Sequence, residues 1–223
     1  MISNPATASC PRDLPTPRHP DGPYRLMMVC TGNICRSAMA EIVMLDRLLA
    51  AGLAGRVEVA SSGVSSEERG NPMDSRARRL LLSCGYGDGE AGGDGGAGGS
   101  GGAKVAARIA SHRAHRITDA EIAGADLILA MTASHEREVQ RRAQRPDATE
   151  DLARRIRMFR EFDPECAADL DAIAAGRASR SRLDAPDPWY GRMEDFEETL
   201  ATIERVVDEL TPALSALLRD RSK

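Results

Sequence analysis

Val29-Cys30-Thr31-Gly32-Asn33-Ile34-Cys35-Arg36-Ser37 is the stretch around which this chain is arranged. A short apolar run, residues 26–29, precedes it and reads as a buried strand. A helical pattern follows, with apolar residues at Met39, Ile42, Val43, Leu45, Leu48 and Leu49. Strand, glycine-containing loop and helix form an oxyanion site. Amide N–H groups at the helix start converge on one point, and the helix dipole favours negative charge there. A cysteine opening such a loop is favoured as its thiolate. An arginine six residues later returns to the same point and grips two oxygens side by side. Ser37 is placed to give the sulfur a hydrogen bond. The stretch reads as a nucleophile, Cys30, in a phosphate cradle built from Thr31, Gly32, Asn33, Ile34, Cys35, Arg36 and Ser37.

The spacing alone says little. With five cysteines and 28 arginines in 223 residues, a bare Cys-x5-Arg arises easily by chance. The context lifts it: an apolar strand before, Gly-Asn inside, Ser after and a helix beyond. A buried, inert cysteine at a strand end explains neither the glycine nor the arginine.

Length and composition fit one folded domain with appendages. Hydrophobic residues make up 42% of the chain, enough for a core, although aromatics are only 3%. The net charge of −4 argues against general nucleic-acid binding despite the arginines. Arg outnumbers Lys 28 to 2, and with abundant Ala and Gly this suggests a GC-rich, bacterial coding sequence. The cysteines are irregularly spaced, with neither a disulfide framework nor a zinc pattern, so a reducing cytoplasm is expected and no metal.

Residues 1–23 are rich in Pro, Ser, Thr and Arg and have no apolar run; they are expected to be a disordered tail and not a secretory signal. Residues 56–63 read as a second strand, and 73–83 as a helix with Met73, Ala77, Leu80 and Leu81 on one face. Glycine dominates residues 85–104, a composition expected to form a flexible insertion. Residues 126–131 read as a third strand buried on both faces, followed by a helix containing His135 and Val139. A short fourth strand is expected at 156–158, and a second, weakly specified and partly helical insertion at 165–182. The last helix, 193–218, carries the stripe Phe196, Leu200, Ile203, Val207, Leu210, Leu214 and Leu217. Alternating strands and helices predict an α/β fold: a doubly wound, three-layer sandwich around a four-stranded parallel sheet. Ligands in such folds bind beyond the strands' carboxyl ends, where the first strand delivers Cys30.

Residues 30–37, followed by Met39-Ala40-Glu41, resemble the signature of the low-molecular-weight protein tyrosine phosphatases. Asp187-Pro188-Trp189-Tyr190-Gly191 resembles that family's general-acid loop, and the likeness spans about residues 24–220, the phosphatase domain being expected over 24–223. The resemblance implies hydrolysis of phosphotyrosine in a protein substrate through a cysteinyl-phosphate, without cofactor, nucleic acid or membrane insertion. Cys30 then attacks phosphorus, Arg36 clamps the equatorial oxygens, and Asp187 protonates the phenolate before activating water. Pro188 holds the Asp187 backbone extended. Asn33 resembles the loop asparagine of unusual conformation, a role its side chain tolerates. Ser61 and His112 resemble the network bracing Asn33 and Ser37. Cys35 resembles a partner able to close a reversible disulfide with Cys30, though a small buried residue explains it equally. Trp189 and Tyr190 resemble the wall beside a phenyl ring, and Tyr190 also resembles a phosphorylatable position.

Four positions depart from the pattern. Glu67 stands where an aromatic wall residue is usual, Ala38 replaces a proline at the helix start, Thr132 replaces an aspartate, and His115 an arginine. They leave other readings open. Arsenate reductases share the cradle but need two more relay cysteines; Cys84 and Cys166 have no close partner in sequence. Protein-arginine phosphatases usually carry threonine where Ile34 stands. A catalytically impaired phosphate- or phosphotyrosine-binding module is the remaining alternative.

Overall fold

The computed structural model describes residues 13–88, 98–144 and 154–219. Strand β1 (Tyr24–Cys30) lies inside the sheet, paired with β2 (Val57–Gly63) on one side and β3 (Leu127–Ala130) on the other. Strand β4 (Ile156–Met158) adds to β3, giving the order β2-β1-β3-β4 with every pairing parallel.

The pleat of β1 sends Leu26, Met28 and Cys30 to one face and Met27 and Val29 to the other, and both sets are buried. The first set packs with α1 (Arg36–Ala50), α2 (Ser75–Ser83), α3 (Gly98–Ser111) and α7 (Met193–Arg219). The second packs with α4 (Asp119–Gly124) and α5 (Ala133–Ala143). Helices therefore cover both faces of a parallel sheet, as expected for a doubly wound three-layer sandwich. Six members of the α7 stripe are buried; Leu217 is only partly covered, and Val206 and Leu218 are buried with the six. Each such apolar side chain is worth roughly 1.5–3 kcal/mol when fully buried. Among the described residues no helix is long and apolar enough to cross a membrane.

Two stretches differ from the sequence reading. Residues 13–23, placed there in a disordered tail, lie along the domain: Arg18 N and Arg25 N donate to the two oxygens of Asp126 at 2.7 and 2.8 Å. Arg155 Nη1 donates to Thr16 O at 2.9 Å, and Leu14 packs on the larger core. These hydrogen bonds and one apolar anchor supply what composition could not reveal; residues 1–12 lie outside the described residues.

The glycine-rich stretch is not uniformly irregular either. Residues 85–88 form a turn with Gly85 and Gly87 at positive φ, and the buried Tyr86 donates its hydroxyl to Glu204 at 2.6 Å. Residues from 98 onward are helical, because Val105 and Ile109 bury against the core and anchor α3; residues 89–97 lie outside the described residues. The segment 165–182 includes α6 (Ala167–Ala174), held by buried Cys166 and Leu183 against Met158 and Ala133. Arg180 pins it further, reaching Glu136 at 2.5 Å and Glu161 at 2.6 Å.

Candidate active site

Strand β1 ends on Cys30, and α1 begins at Arg36, so residues 31–35 form a tight loop at the carboxyl edge of the sheet. Asn33 is the one described non-glycine residue at positive φ, 61°. That left-handed geometry turns its backbone N–H toward the Cys30 sulfur at 3.3 Å. The conformation is held from three sides. Asn33 O accepts from His112 Nε2 at 2.7 Å, Asn33 Oδ1 accepts from His115 N at 3.2 Å, and Asn33 Nδ2 donates to Ser61 Oγ at 2.8 Å and Ser37 Oγ at 3.0 Å.

Two branches leave Asn33 Nδ2, one through Ser37 beside the sulfur and one through Ser61 to Glu41. Asn33 Nδ2 fills a lone pair of Ser37 Oγ, which leaves the Ser37 proton for Cys30 Sγ at 3.0 Å or the Ser62 carbonyl at 3.2 Å. Ser61 passes its own proton to Glu41 Oε2 at 2.5 Å, and Arg108 Nε donates to the other oxygen of Glu41 at 2.5 Å. The chain thus runs from Arg108 on α3, through the buried carboxylate of Glu41 on α1, to the base of the cradle. Glu41 belongs to the quoted signature, but its bracing role was not legible there. Burial lowers the affinity of His112 for a proton, and Nε2 donates to the Asn33 carbonyl.

Arg36 is 4% exposed and its guanidinium points at the cradle's mouth. Nη2 meets Asp187 Oδ2 at 2.6 Å and Thr31 Oγ1 at 3.5 Å, and Nη1 reaches the Ala185 carbonyl at 3.5 Å. Asp187 is half exposed, and its other oxygen accepts from Trp189 N at 3.2 Å. The loop carrying it is stapled by Arg76 on α2, which donates to Trp189 O at 3.1 Å and Gly191 O at 3.2 Å. Arg76 also lies 4.5 Å over the Phe196 ring and is aligned by Asp74, the N-cap of α2.

Cys30, Thr31, Gly32, Ile34, Cys35 and Arg36 line a single pocket together with Asp187, Glu67, Trp189 and Tyr190. Asn33, Ser37, Ser61 and His112 lie beneath it, fully or almost fully buried. Glu68, not singled out from sequence, joins the wall and folds over Gly32, with its carboxylate held by Asn71 at 2.7 Å. Tyr190 is 97% exposed and meets Trp189 edge-on at 6.5 Å. Cys35 is a free buried thiol, pushed toward its protonated form by burial and then by Asp74.

Two departures from the motif are compensated locally. The α5 N-terminus, where Thr132 is the cap, receives a carboxylate from Asp184, which accepts from Ala133 N at 2.7 Å. His115 serves Asn33 through its backbone, so its side chain is free to pair with Glu121 at 2.8 Å. Two further residues escaped the sequence reading. Gly63, at the end of β2, presses on the cradle backbone, and His135, on α5, places Nε2 2.9 Å from Thr31 Oγ1. The Ser-Ser-Gly strand end was the only available signal for the first; nothing local marked the second.

A family profile described as low molecular weight phosphotyrosine protein phosphatase matches residues 25–89 and 103–222. The chain is 33% identical to a low molecular weight protein-tyrosine-phosphatase of Streptomyces coelicolor, over 89% of this chain and 98% of that protein. It is 32% identical to low molecular weight protein-tyrosine phosphatase A of Mycobacterium tuberculosis, over 84% of this chain and 90% of that one. Among solved structures, the low molecular weight protein tyrosine phosphatase from T. tengcongensis superposes with a TM-score of 0.58 at 28% identity, covering 84% of this chain and 97% of the other. The matched residues contain both the cradle and the Asp187 loop, and the chain belongs to the low molecular weight phosphotyrosine protein phosphatase family.

Proposed function

We propose that the chain hydrolyses phosphotyrosine in proteins, with Cys30 as nucleophile, Arg36 as phosphate clamp and Asp187 as general acid and then base. One observation carries the reading: the Cys30 sulfur, 3.0 Å from Ser37 Oγ and 3.3 Å from Asn33 N–H, shares a pocket with the Arg36–Asp187 pair at 2.6 Å. Donors aimed at the sulfur favour its anion, and the dipole of α1 acts in the same sense. The thiolate forms a bond to phosphorus as the P–O bond to the phenol breaks, and the Asp187 proton goes to the departing oxygen. Asp187, now anionic, takes a proton from water that attacks phosphorus, and the thiolate leaves with release of phosphate. Backbone amides of residues 31–36 and the Arg36 guanidinium receive the equatorial oxygens throughout.

Ile34 in the pocket lining and the Trp189 ring favour an aromatic ester over a phosphoguanidine. Neither Cys84, exposed after α2, nor Cys166, buried in a separate cluster, lines the pocket, which disfavours an arsenate-reducing relay. The reaction needs Cys30 and Cys35 reduced, a state suited to the cytoplasm.

The test is hydrolysis of p-nitrophenyl phosphate and of a phosphotyrosyl peptide, in EDTA, by the natural chain, Cys30→Ser and Asp187→Ala. Turnover should vanish in the first variant and fall by about 100-fold or more in the second. No turnover by the natural chain, with vanadate still bound, would convert the reading to a phosphate-binding module.

A further inference from the structure

A hydroxyl oxygen offers two lone pairs and one proton. Thr31 Oγ1, at the pocket rim, has two nitrogen neighbours, His135 Nε2 at 2.9 Å and Arg36 Nη2 at 3.5 Å. Arginine can only donate, so one lone pair of Thr31 faces Arg36. The role of His135 is fixed by its other nitrogen. The ring is 5% exposed, and Nδ1 is sealed from solvent with no hydrogen-bond partner among the described residues.

Burial and the nearby charge of Arg36 push the His135 pKa down to about 3, so one proton is shared between two ring nitrogens. Were it on Nδ1, a buried N–H would lack an acceptor and Nε2 would consume the Thr31 proton. On Nε2, the unpartnered atom is a bare ring nitrogen, and Thr31 Oγ1 receives a second donor. Orphaned buried N–H groups are the rarer arrangement. The ring is held in place from its own helix, since Thr132 Oγ1 accepts from His135 N at 3.3 Å.

We propose that His135 is a positioning residue: it donates through Nε2 to Thr31 Oγ1 and so directs the Thr31 hydroxyl proton to an oxyanion at the rim of the cradle. This rests on the phosphate-cradle reading. With both lone pairs of Oγ1 occupied, the proton is the only bonding capacity Thr31 has left. The donor is oriented before substrate arrives and needs no reorganisation on binding.

The test combines 15N spectra of histidine-labelled full-length chain with orthophosphate affinity, measured as competitive inhibition and by direct calorimetry. The variants are Thr31→Val, His135→Leu, the double substitution, and His135→Gln, whose amide nitrogen can occupy the place of Nε2. The His135 signals, assigned by their loss in His135→Gln, should show Nε2 protonated and Nδ1 bare. Each apolar single variant should weaken orthophosphate roughly five-fold, the double variant no more than either, and His135→Gln should retain most of the affinity. A proton on Nδ1, additive losses, or unchanged affinity in His135→Leu overturns the proposal. Should His135→Leu fail to fold, the tautomer and His135→Gln decide, and a five-fold loss in the latter counts against it. A natural chain that binds no orthophosphate overturns the cradle reading and this proposal together; binding with additive variants overturns this proposal alone.

Discussion

Replacing Gly63 by alanine should damage the cradle far more than replacing Gly32, the glycine inside it. Gly63 closes β2 directly opposite Cys30, with its N–H donated to His115 O at 2.8 Å and its carbonyl accepting from Ile117 N at 2.8 Å. A Cβ there would stand 2.4 Å from Thr31 O, 3.1 Å from Gly32 C and 3.2 Å from Asn33 N, all backbone atoms. Carbon and oxygen essentially never approach within 3.0 Å, so the cradle must retreat by at least about 0.6 Å, the difference from 2.4 Å. Hydrogen bonds on both sides of the strand prevent β2 from yielding instead. Overpacking of this kind costs roughly 1–3 kcal/mol of stability. If Cys30 is the nucleophile proposed above, a misplacement approaching 1 Å there costs about 100-fold in rate. At Gly32, by contrast, a Cβ comes too close to Glu68 Cγ alone, at 2.9 Å, with Glu68 Cβ at 3.6 Å and Ile34 Cγ1 at 3.8 Å in ordinary contact; the Glu68 side chain can swing away, and the expected loss is under about 1 kcal/mol. The assay is kcat/KM on p-nitrophenyl phosphate beside urea unfolding for Gly63→Ala and Gly32→Ala. Gly63→Ala with activity within a few-fold of the natural chain, or Gly32→Ala as the more damaged variant, would refute the reasoning.

Other outcomes follow from the same contacts. Glu41→Gln weakens the charge-assisted bonds from Ser61 and Arg108, and should lower the unfolding free energy by about 1.5–3 kcal/mol in urea titration; an unchanged midpoint would remove Glu41 from the brace. Arg76→Ala frees the Trp189 and Gly191 carbonyls and loosens the Asp187 loop without touching the cradle. Its turnover should fall about ten-fold while orthophosphate inhibition holds, and equal losses in both would show that Arg76 supports the cradle itself. His135 stays neutral in the folded chain down to about pH 3, whereas the unfolded imidazole protonates below about 6.5. The unfolded state then binds the extra proton, so stability falls as pH drops through that window, by about 1.4 kcal/mol per unit, with buried His112 adding in the same direction. Urea unfolding between about pH 7 and pH 5 should show a slope that steepens toward this value at the acid end, and His135→Gln should flatten it; a slope unaltered by the substitution would mean that His135 is not sealed in the native state.

The local part of this protein was legible in its sequence. Apolar runs at residues 26–29 and 126–131 and the α7 stripe report a sheet buried on both faces, because burial imposes periodicity on neighbouring residues. The cradle is contiguous from Cys30 to Ser37, so its residues could be read from one stretch. Composition misjudged 13–23 and the end of the glycine-rich stretch: what orders them is a few distant partners, Asp126 and Arg155 for the first and the core around Val105 and Ile109 for the second. The same limit applies at the site. By itself the sequence determined the strand–loop–helix cradle, the place of Cys30 at its start and the α/β layering. Only the tertiary structure decided what surrounds the cradle: Gly63 against its backbone, Glu41 and Arg108 behind Asn33, Arg76 under the Asp187 loop and His135 beside Thr31. Those contacts join residues far apart in the chain, and their energies depend on separations of a few ångströms that no local pattern of residue types encodes.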